Sequence, residues 1–435
     1  MRIVMIGTGY VGLVSGACLS EFGHDVVCVD NDAAKIEGLK KGIIPIFEPG
    51  LDEVVSTNSK AGRLTFETDL KAAMPGAEAV FIAVGTPSRR GDGHADLSYV
   101  FAVAEEVARY LDGYTVVVTK STVPVGTNRK VAEIIRKARP GAQFDVASNP
   151  EFLREGSAIE DFRRPDRVVV GCASDRAREV MREVYRPLYL NETPILFTSC
   201  ESSELIKYAA NAFLAAKITF INEMANLCEK VGGNVQDVAR GMGLDNRIGN
   251  KFLHAGPGFG GSCFPKDTLA LLKTAQEYGA PTRIIEAVVA VNDARKREMA
   301  EKIERAFGGL KGKTVAILGL TFKPNTDDMR DAPSLVIVPY LQEKGAKVRA
   351  FDPEGAKEAK KHLDIDLCAD AYDAIDGADG VVILTEWNEF RALDLARVKT
   401  LLKEPLMLDL RNIYKPETMA AAGFTYFSVG RPNVA

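Results

Sequence analysis

The chain has 435 residues, 46% hydrophobic and 26% charged, with a formal net charge of −4. That length carries two or three domains with a sizeable core, and a mildly acidic balance without a long basic run argues against nucleic acid or an anionic membrane as partner. No apolar run approaches the ~18 residues of a membrane span. The seven scattered cysteines and four histidines lack metal-ligand spacing, which points to a cytoplasmic protein without disulfides or a metal site.

Residues 2–6 (RIVMI) form a short apolar run ending at Gly7-Thr8-Gly9-Tyr10-Val11-Gly12, followed by a helical pattern and a second run, DVVCVD, ending at Asp30. Strand, glycine turn, helix and strand, with an acid ~20 positions on, is the dinucleotide-binding arrangement. Gly7 permits the tight turn, Gly9 lets the backbone reach a pyrophosphate, and Gly12 lets helix and strand pack closely. Asp30 would accept hydrogen bonds from an adenosine ribose and repel a 2′-phosphate, so NAD is favoured over NADP.

Further strands are expected at AVFIAV, TVVVTK and FDVAS, which end near Thr86, Thr122 and Glu151. Those positions suit the cofactor crevice of a doubly wound parallel sheet, or equally ordinary turn and capping chemistry. VVVG (168–171) and ILFT (195–198) extend the series. The polar segment 87–98 reads as a mobile loop with a solvated His94.

From about residue 200 an uninterrupted 3.6-residue periodicity predicts one helix about 45 Å long. Such a helix commonly spans between domains or packs against a second subunit, so a homodimer or higher homo-oligomer is expected. Lys207 and Asn211 fall at i and i+4 on one side of it. A buried asparagine needs its amide bonded. Lys207 would suit an oxyanion and Asn211 a hydroxyl or water, unless both simply lie on a solvated face. The loop 243–259 carries Arg247, Lys251 and His254. It leads into GPGFGGSCFPKDT (256–268), where Cys263 sits in a glycine turn before a helix start. A helix N-terminus and Lys266 nearby would stabilise its thiolate, with Asp267 four residues on as acid/base support. The competing reading is a small buried hydrophobe.

Residues 312–435 repeat strand–loop–helix–strand with a degenerate fingerprint at Gly319, offering a second anion site with Lys323 and Arg330 as counter-charges. The fold class read from these patterns is α/β, with two Rossmann-like doubly wound domains (1–200 and 312–435) joined by a helical domain (201–305).

GTGYVG (7–12), STVPVGT (121–127), NPEFLREGSAIEDF (149–162), ELIKYAANAFLAAKI (204–218), GFGGSCFPKD (258–267) and GLTFKPNTDDMRDAPS (319–334) together resemble the UDP-glucose/GDP-mannose dehydrogenase family over essentially the whole chain. GGSCFPKD is most similar to its UDP-glucose branch, while Phe259 stands where many relatives carry tyrosine and Lys251 where arginine is common. The resemblance implies a four-electron oxidation of the sugar's primary alcohol to a carboxylate with two NAD. Cys263 would be the nucleophile, Lys207 and Asn211 would steady the oxyanion, and Asp267, Thr122 and Glu151 would handle protons and water. It places NAD against Val11, Asp30, Lys35, Thr86, Glu155, Lys266 and Arg330. UDP-glucose would meet Phe152, Leu153, Arg154, the loop from Phe252 through Leu253, His254 and Ala255 to Gly256, Gly260, Lys323 and Arg411, and would lie between the two nucleotide folds across the central helix. Alternatives are another nucleotide sugar (GDP-mannose or a UDP-N-acetyl sugar), or a two-electron hydroxyacid dehydrogenase, which also uses a Lys-x-x-x-Asn helix.

Overall fold

The computed structural model describes residues 1–87, 89 and 93–433, so Ser88, Arg90, Gly91 and Asp92 of the expected mobile loop lie outside the described residues. His94, within that segment, is not simply solvated: its Nδ1 lies 3.4 Å from Glu277 Oε1. The chain divides into two units, Met1–Ala210 with Lys273–Gly279, and Asn211–Leu272 with Ala280–Ala435.

In the first unit, β1 (Arg2–Ile6), β2 (Asp25–Val29), β3 (Leu64–Glu67), β4 (Ala79–Ile82), β5 (Thr115–Thr119), β6 (Phe144–Ser148), β7 (Val168–Cys172) and β8 (Ile195–Thr198) form one sheet. Its order is β3-β2-β1-β4-β5-β6-β7-β8. β1 pairs with β2 from Arg2↔Asp25 to Ile6↔Val29 and with β4 on its other side. The reversal of strand order therefore falls between β1 and β4, where such sheets open a crevice. Every residue of β4 and β5 is buried, as expected of strands covered on both faces.

The expected all-parallel sheet stops at β6, because β7 runs antiparallel to it through Ala147↔Cys172 and Ser148↔Gly171. The connection between them carries one six-residue helix, Ala158–Arg163. β8 then follows β7 in parallel.

The central helix runs from Cys200 to Val231, 32 residues or about 48 Å, and the division between units falls within it at Ala210/Asn211.

In the second unit, β9 (Thr314–Leu318), β10 (Lys347–Phe351), β11 (Asp366–Leu367), β12 (Gly380–Ile383), β13 (Leu406–Asp409) and β14 (Thr425–Ser428) form a sheet of order β11-β10-β9-β12-β13-β14. All its pairings are parallel, so the skeleton of the first unit recurs. Gly7 at φ +100 donates its N–H to Val29 O at 2.7 Å; Gly319 at φ +88 donates to Phe351 O at 2.8 Å. Each glycine follows a first strand and reaches the end of the second.

The copies differ at the acid that follows. Asp352 is 1% exposed. Its Oδ2 accepts from Leu320 N, Thr321 N, Thr321 Oγ1 and Trp387 Nε1, and its Oδ1 from Glu354 N and Gly355 N. A carboxylate has about four lone-pair sites, so this one is fully committed to the fold.

Candidate active site

A Cβ built on Gly7 would lie 2.5 Å from Ala83 O, and one on Gly12 1.9 Å from Gly7 O, while among the described residues nothing lies within 4 Å of one on Gly9. Packing thus explains the outer glycines. The middle one borders open space at the start of the Tyr10–Glu21 helix, whose first N–H groups have no intrahelical acceptor. Asp30 Oδ2 accepts from Thr8 N, Thr8 Oγ1 and Lys35 Nζ, whereas among the described residues Oδ1 accepts only from Asp32 N. Burial alone would raise its pKa, but the Thr8, Asp32 and Lys35 donors hold it below the usual carboxylate value. An anionic Asp30 with acceptor capacity left on Oδ1, beside an uncapped helix start, fits the ribose and pyrophosphate of NAD. Val11 packs against the core below the turn, and Thr86 Oγ1 donates to Thr122 O at 2.9 Å.

Lys207 is not on a solvated face. Its Nζ lies 3.1 Å from Glu151 Oε1, with the two side chains 4% and 6% exposed, and 5.3 Å from the Phe152 ring. Glu151 Oε2 accepts from Leu153 N at 2.6 Å, fixing the turn after β6. Sequence reasoning missed Lys120, at the end of β5. It is fully buried, and its Nζ donates to Asn149 Oδ1 at 3.2 Å and Tyr185 OH at 3.4 Å. Burial lowers its pKa to about 8, with Lys207 adding to the fall and Glu151 opposing it. Its only sequence signal was a lysine ending a run of buried strand residues.

In the second unit, Cys263 occupies the cap position of the Phe264–Glu277 helix, with Asp267 N bonded to its carbonyl at 2.8 Å. It is partly exposed, and its Sγ lies 3.5 Å from Ser262 Oγ. Asn211 Nδ2 donates to Asp267 Oδ2 at 2.7 Å, giving the buried amide the partner it requires. Lys266, expected to support a thiolate, puts its Nζ 3.0 Å from Asp267 Oδ1. The helix start lies directly beside the sulfur.

The turn before Cys263 is held from beneath. Gly256 N donates to Asn222 Oδ1 and Gly256 O accepts from Arg295 Nε. Asn292 brackets Phe259, accepting from its N–H at 2.8 Å and donating to its carbonyl at 3.1 Å. A Cβ on Gly260 would lie 2.3 Å from Asp331 O, and Lys296 Nζ donates to that same oxygen. Asn292, Arg295 and Lys296 all lie on the buried face of the Arg283–Ala306 helix. Polar residues inside an apolar stripe were the available signal, and it was not used.

Leu253, His254, Ala255 and Arg411 line one cavity of about 570 Å³, together with Arg240 and Arg391. Arg411 Nε donates to Leu384 O at 2.6 Å and its Nη2 to Phe322 O at 2.9 Å. Arg411 and Lys323 follow the carboxyl ends of β13 and β9, where open parallel sheets receive ligands. Phe252 holds φ +64, with its ring 6.1 Å from Phe264. Three of the residues expected to meet ligand each pair with a nearby carboxylate: Arg154 with Asp161, Arg247 with Asp245 with 90% of its side chain exposed, and Arg330 with Asp328. Glu155 lies in the turn before the Ala158–Arg163 helix. Among the described residues no group of three or more His, Cys, Asp or Glu is placed to hold a metal.

A dinucleotide cradle, a second fold of the same order and a cysteine beside a bonded carboxylate define a nucleotide-dependent dehydrogenase. The chain belongs to the UDP-glucose/GDP-mannose dehydrogenase family: residues 1–189 match its NAD binding domain, 201–294 its central domain and 316–416 its UDP binding domain. It is 64% identical to the UDP-glucose 6-dehydrogenase of Rhizobium meliloti (strain 1021), with 100% of each chain covered. A solved UDP-glucose dehydrogenase from Pyrobaculum islandicum superposes with a TM-score of 0.91 at 39% identity, covering 99% of this chain and 98% of that one. The UDP-D-ManNAc dehydrogenase of Pyrococcus horikoshii superposes at 0.87 with 27% identity, over 100% of both chains.

Proposed function

We propose that the protein oxidises the C6 alcohol of UDP-glucose to the carboxylate of UDP-glucuronate with two NAD. What carries the reading is Cys263 capping a helix whose Asp267 is bonded to Asn211, in a chain 64% identical to the Rhizobium meliloti enzyme. When bound, NAD supplies the hydride acceptor for each oxidation.

The chain's own residues do the rest. As hydride leaves C6, the hydroxyl proton passes to a carboxylate, Glu151 or Asp267, and the ammonium of Lys207 and the amide of Asn211 steady the oxygen. Cys263 Sγ then bonds to the aldehyde carbon while its proton passes to the aldehyde oxygen, giving a thiohemiacetal. Loss of a second hydride from carbon and the proton from oxygen leaves a thioester. A water oriented by Thr122 and deprotonated by the same carboxylates adds to the thioester carbonyl. The C–S bond breaks, the thiol is restored and the carboxylate is released. The loop Leu253–Gly256, Lys323 and Arg411 would hold the nucleotide.

Counting NADH per UDP-glucose tests the scheme: two are expected, and one would favour a two-electron dehydrogenase. Cys263→Ser is expected to stop uronate formation, and uronate at the parent rate would rule out covalent catalysis. A panel of UDP-glucose, GDP-mannose and UDP-N-acetylglucosamine reads sugar choice directly.

The segments 1–200, 201–305 and 312–435 are read as NAD-binding, central helical and UDP-sugar-binding. A homodimer is read from Phe213, Phe220 and Leu227, which leave 66%, 43% and 52% of their surface exposed at seven-residue spacing on the central helix. A second copy would cover that stripe, and Phe220→Glu is expected to halve the mass measured by light scattering. Seven free cysteines fit a reducing, cytoplasmic setting.

A further inference from the structure

Glu48 is 6% exposed and has no part in the chemistry above. It precedes Pro49 and Gly50, the latter at φ +81, in the turn that starts the Leu51–Lys60 helix. The residue is held there by its own carbonyl, which accepts from Leu51 N at 3.2 Å. Its carboxylate takes three donors from two distant stretches of chain. Oε2 accepts from the Tyr10 hydroxyl and from Gly156 N at 2.6 Å, and Oε1 accepts from Ala158 N at 2.7 Å.

The two stretches matter. Tyr10 is the first residue of the helix whose start forms the dinucleotide cradle. Gly156 and Ala158 flank Ser157, which caps the Ala158–Arg163 helix without a side-chain hydrogen bond. Glu48 therefore does for that helix what its own cap does not. The 151–158 stretch is pinned at its other end by Glu151 Oε2 on Leu153 N, and Arg154 is held by Asp161. Burial and Glu48 raise the Tyr10 pKa, so its hydroxyl stays a donor at neutral and alkaline pH.

We propose that Glu48 is a positioning residue for the cofactor, fastening the glycine turn, through Tyr10, to the loop that leads from Glu151 to Ala158. A buried carboxylate with three hydrogen bonds has one place to sit, so the two segments share a common reference. NAD settling on the turn then works against a fixed loop rather than an independently moving one. The inference concerns cofactor binding and holds whichever sugar is oxidised.

Tyr10→Phe removes a single hydroxyl and keeps the ring; Glu48→Gln keeps the shape but sets an amide against two N–H donors. The readouts are NADH affinity by nicotinamide fluorescence, the separate KM for NAD and kcat, and the melting temperature of the protein without cofactor. Each single variant is expected to bind NADH about tenfold more weakly, the equivalent of one bond to a charged acceptor. The double variant should be no weaker than Glu48→Gln alone, and KM for NAD should rise by more than kcat falls. Three results would overturn the proposal: NADH affinity within twofold of the parent in Tyr10→Phe, effects that multiply in the double variant, or affinity losses that merely track melting temperature. If Glu48→Gln does not fold, Tyr10→Phe decides the matter by the first and third criteria.

Discussion

Replacing Asn292 by alanine strips Phe259 of both its partners in a place where each is hard to replace. The amide accepts at 2.8 Å and donates at 3.1 Å, with Asn292 4% and Phe259 6% exposed. A buried backbone group left unpaired costs ~1–3 kcal/mol, so the two together cost roughly 2–6 kcal/mol. A water entering the space vacated returns part of this, leaving about 3 kcal/mol. That corresponds to about a hundredfold faster amide exchange at Phe259, read by mass spectrometry on peptides spanning 256–263. The loosened turn should also change the rate at which iodoacetamide labels Cys263, mapped by peptide. Asn292→Asp is the sharper probe. It keeps an acceptor for Phe259 N–H but turns a second oxygen, with charge, on the Phe259 carbonyl. It should therefore be worse than alanine despite closer shape. If aspartate proved milder than alanine, or exchange rose less than threefold, the turn would not depend on this clamp.

Lys207→Met leaves Glu151 buried without its ammonium, and losing one partner of such a pair costs ~3–5 kcal/mol. Adding Glu151→Gln should recover most of the lost melting temperature and none of the turnover; a double variant as unstable as the summed singles would contradict this. Lys120 titrates at about 8 in the fold against an ordinary 10.5. Between those values the unfolded chain holds the extra proton, so the contribution of Lys120 to stability rises with pH, by about 3 kcal/mol over the window. The difference in melting temperature between the parent and Lys120→Met should shift in the parent's favour from pH 8 to 10.5, and a flat difference would show that Lys120 keeps its ordinary value.

Local pattern was enough where a local rule decides. The first glycine turn was readable because each glycine answers a steric demand within one strand–helix–strand unit, and Asn211 because an amide in an apolar stripe must be bonded. The antiparallel β7 was not readable: its direction is set by how it pairs with β6 in the folded sheet, and nothing in the run of either strand encodes it. Lys207 could be placed on a helix face but not paired, since Glu151 lies 56 residues away. Likewise the support beneath Cys263 comes from a helix 33 residues downstream of Phe259, and only folding brings its polar side chains under the turn. Arg154, Arg247 and Arg330 each pair with a carboxylate within seven residues, a pairing that short spacing makes easy but does not dictate.

One polypeptide thus holds two skeletons of the same strand order, and such duplication invites confusion over which should take which ligand. Asp352 removes the ambiguity. It takes six donors, from backbone around it, the Thr321 hydroxyl and Trp387, where Asp30 takes four, a single one of them on Oδ1 among the described residues. Discrimination between the twin folds thus rests on how much of one carboxylate the fold has already used.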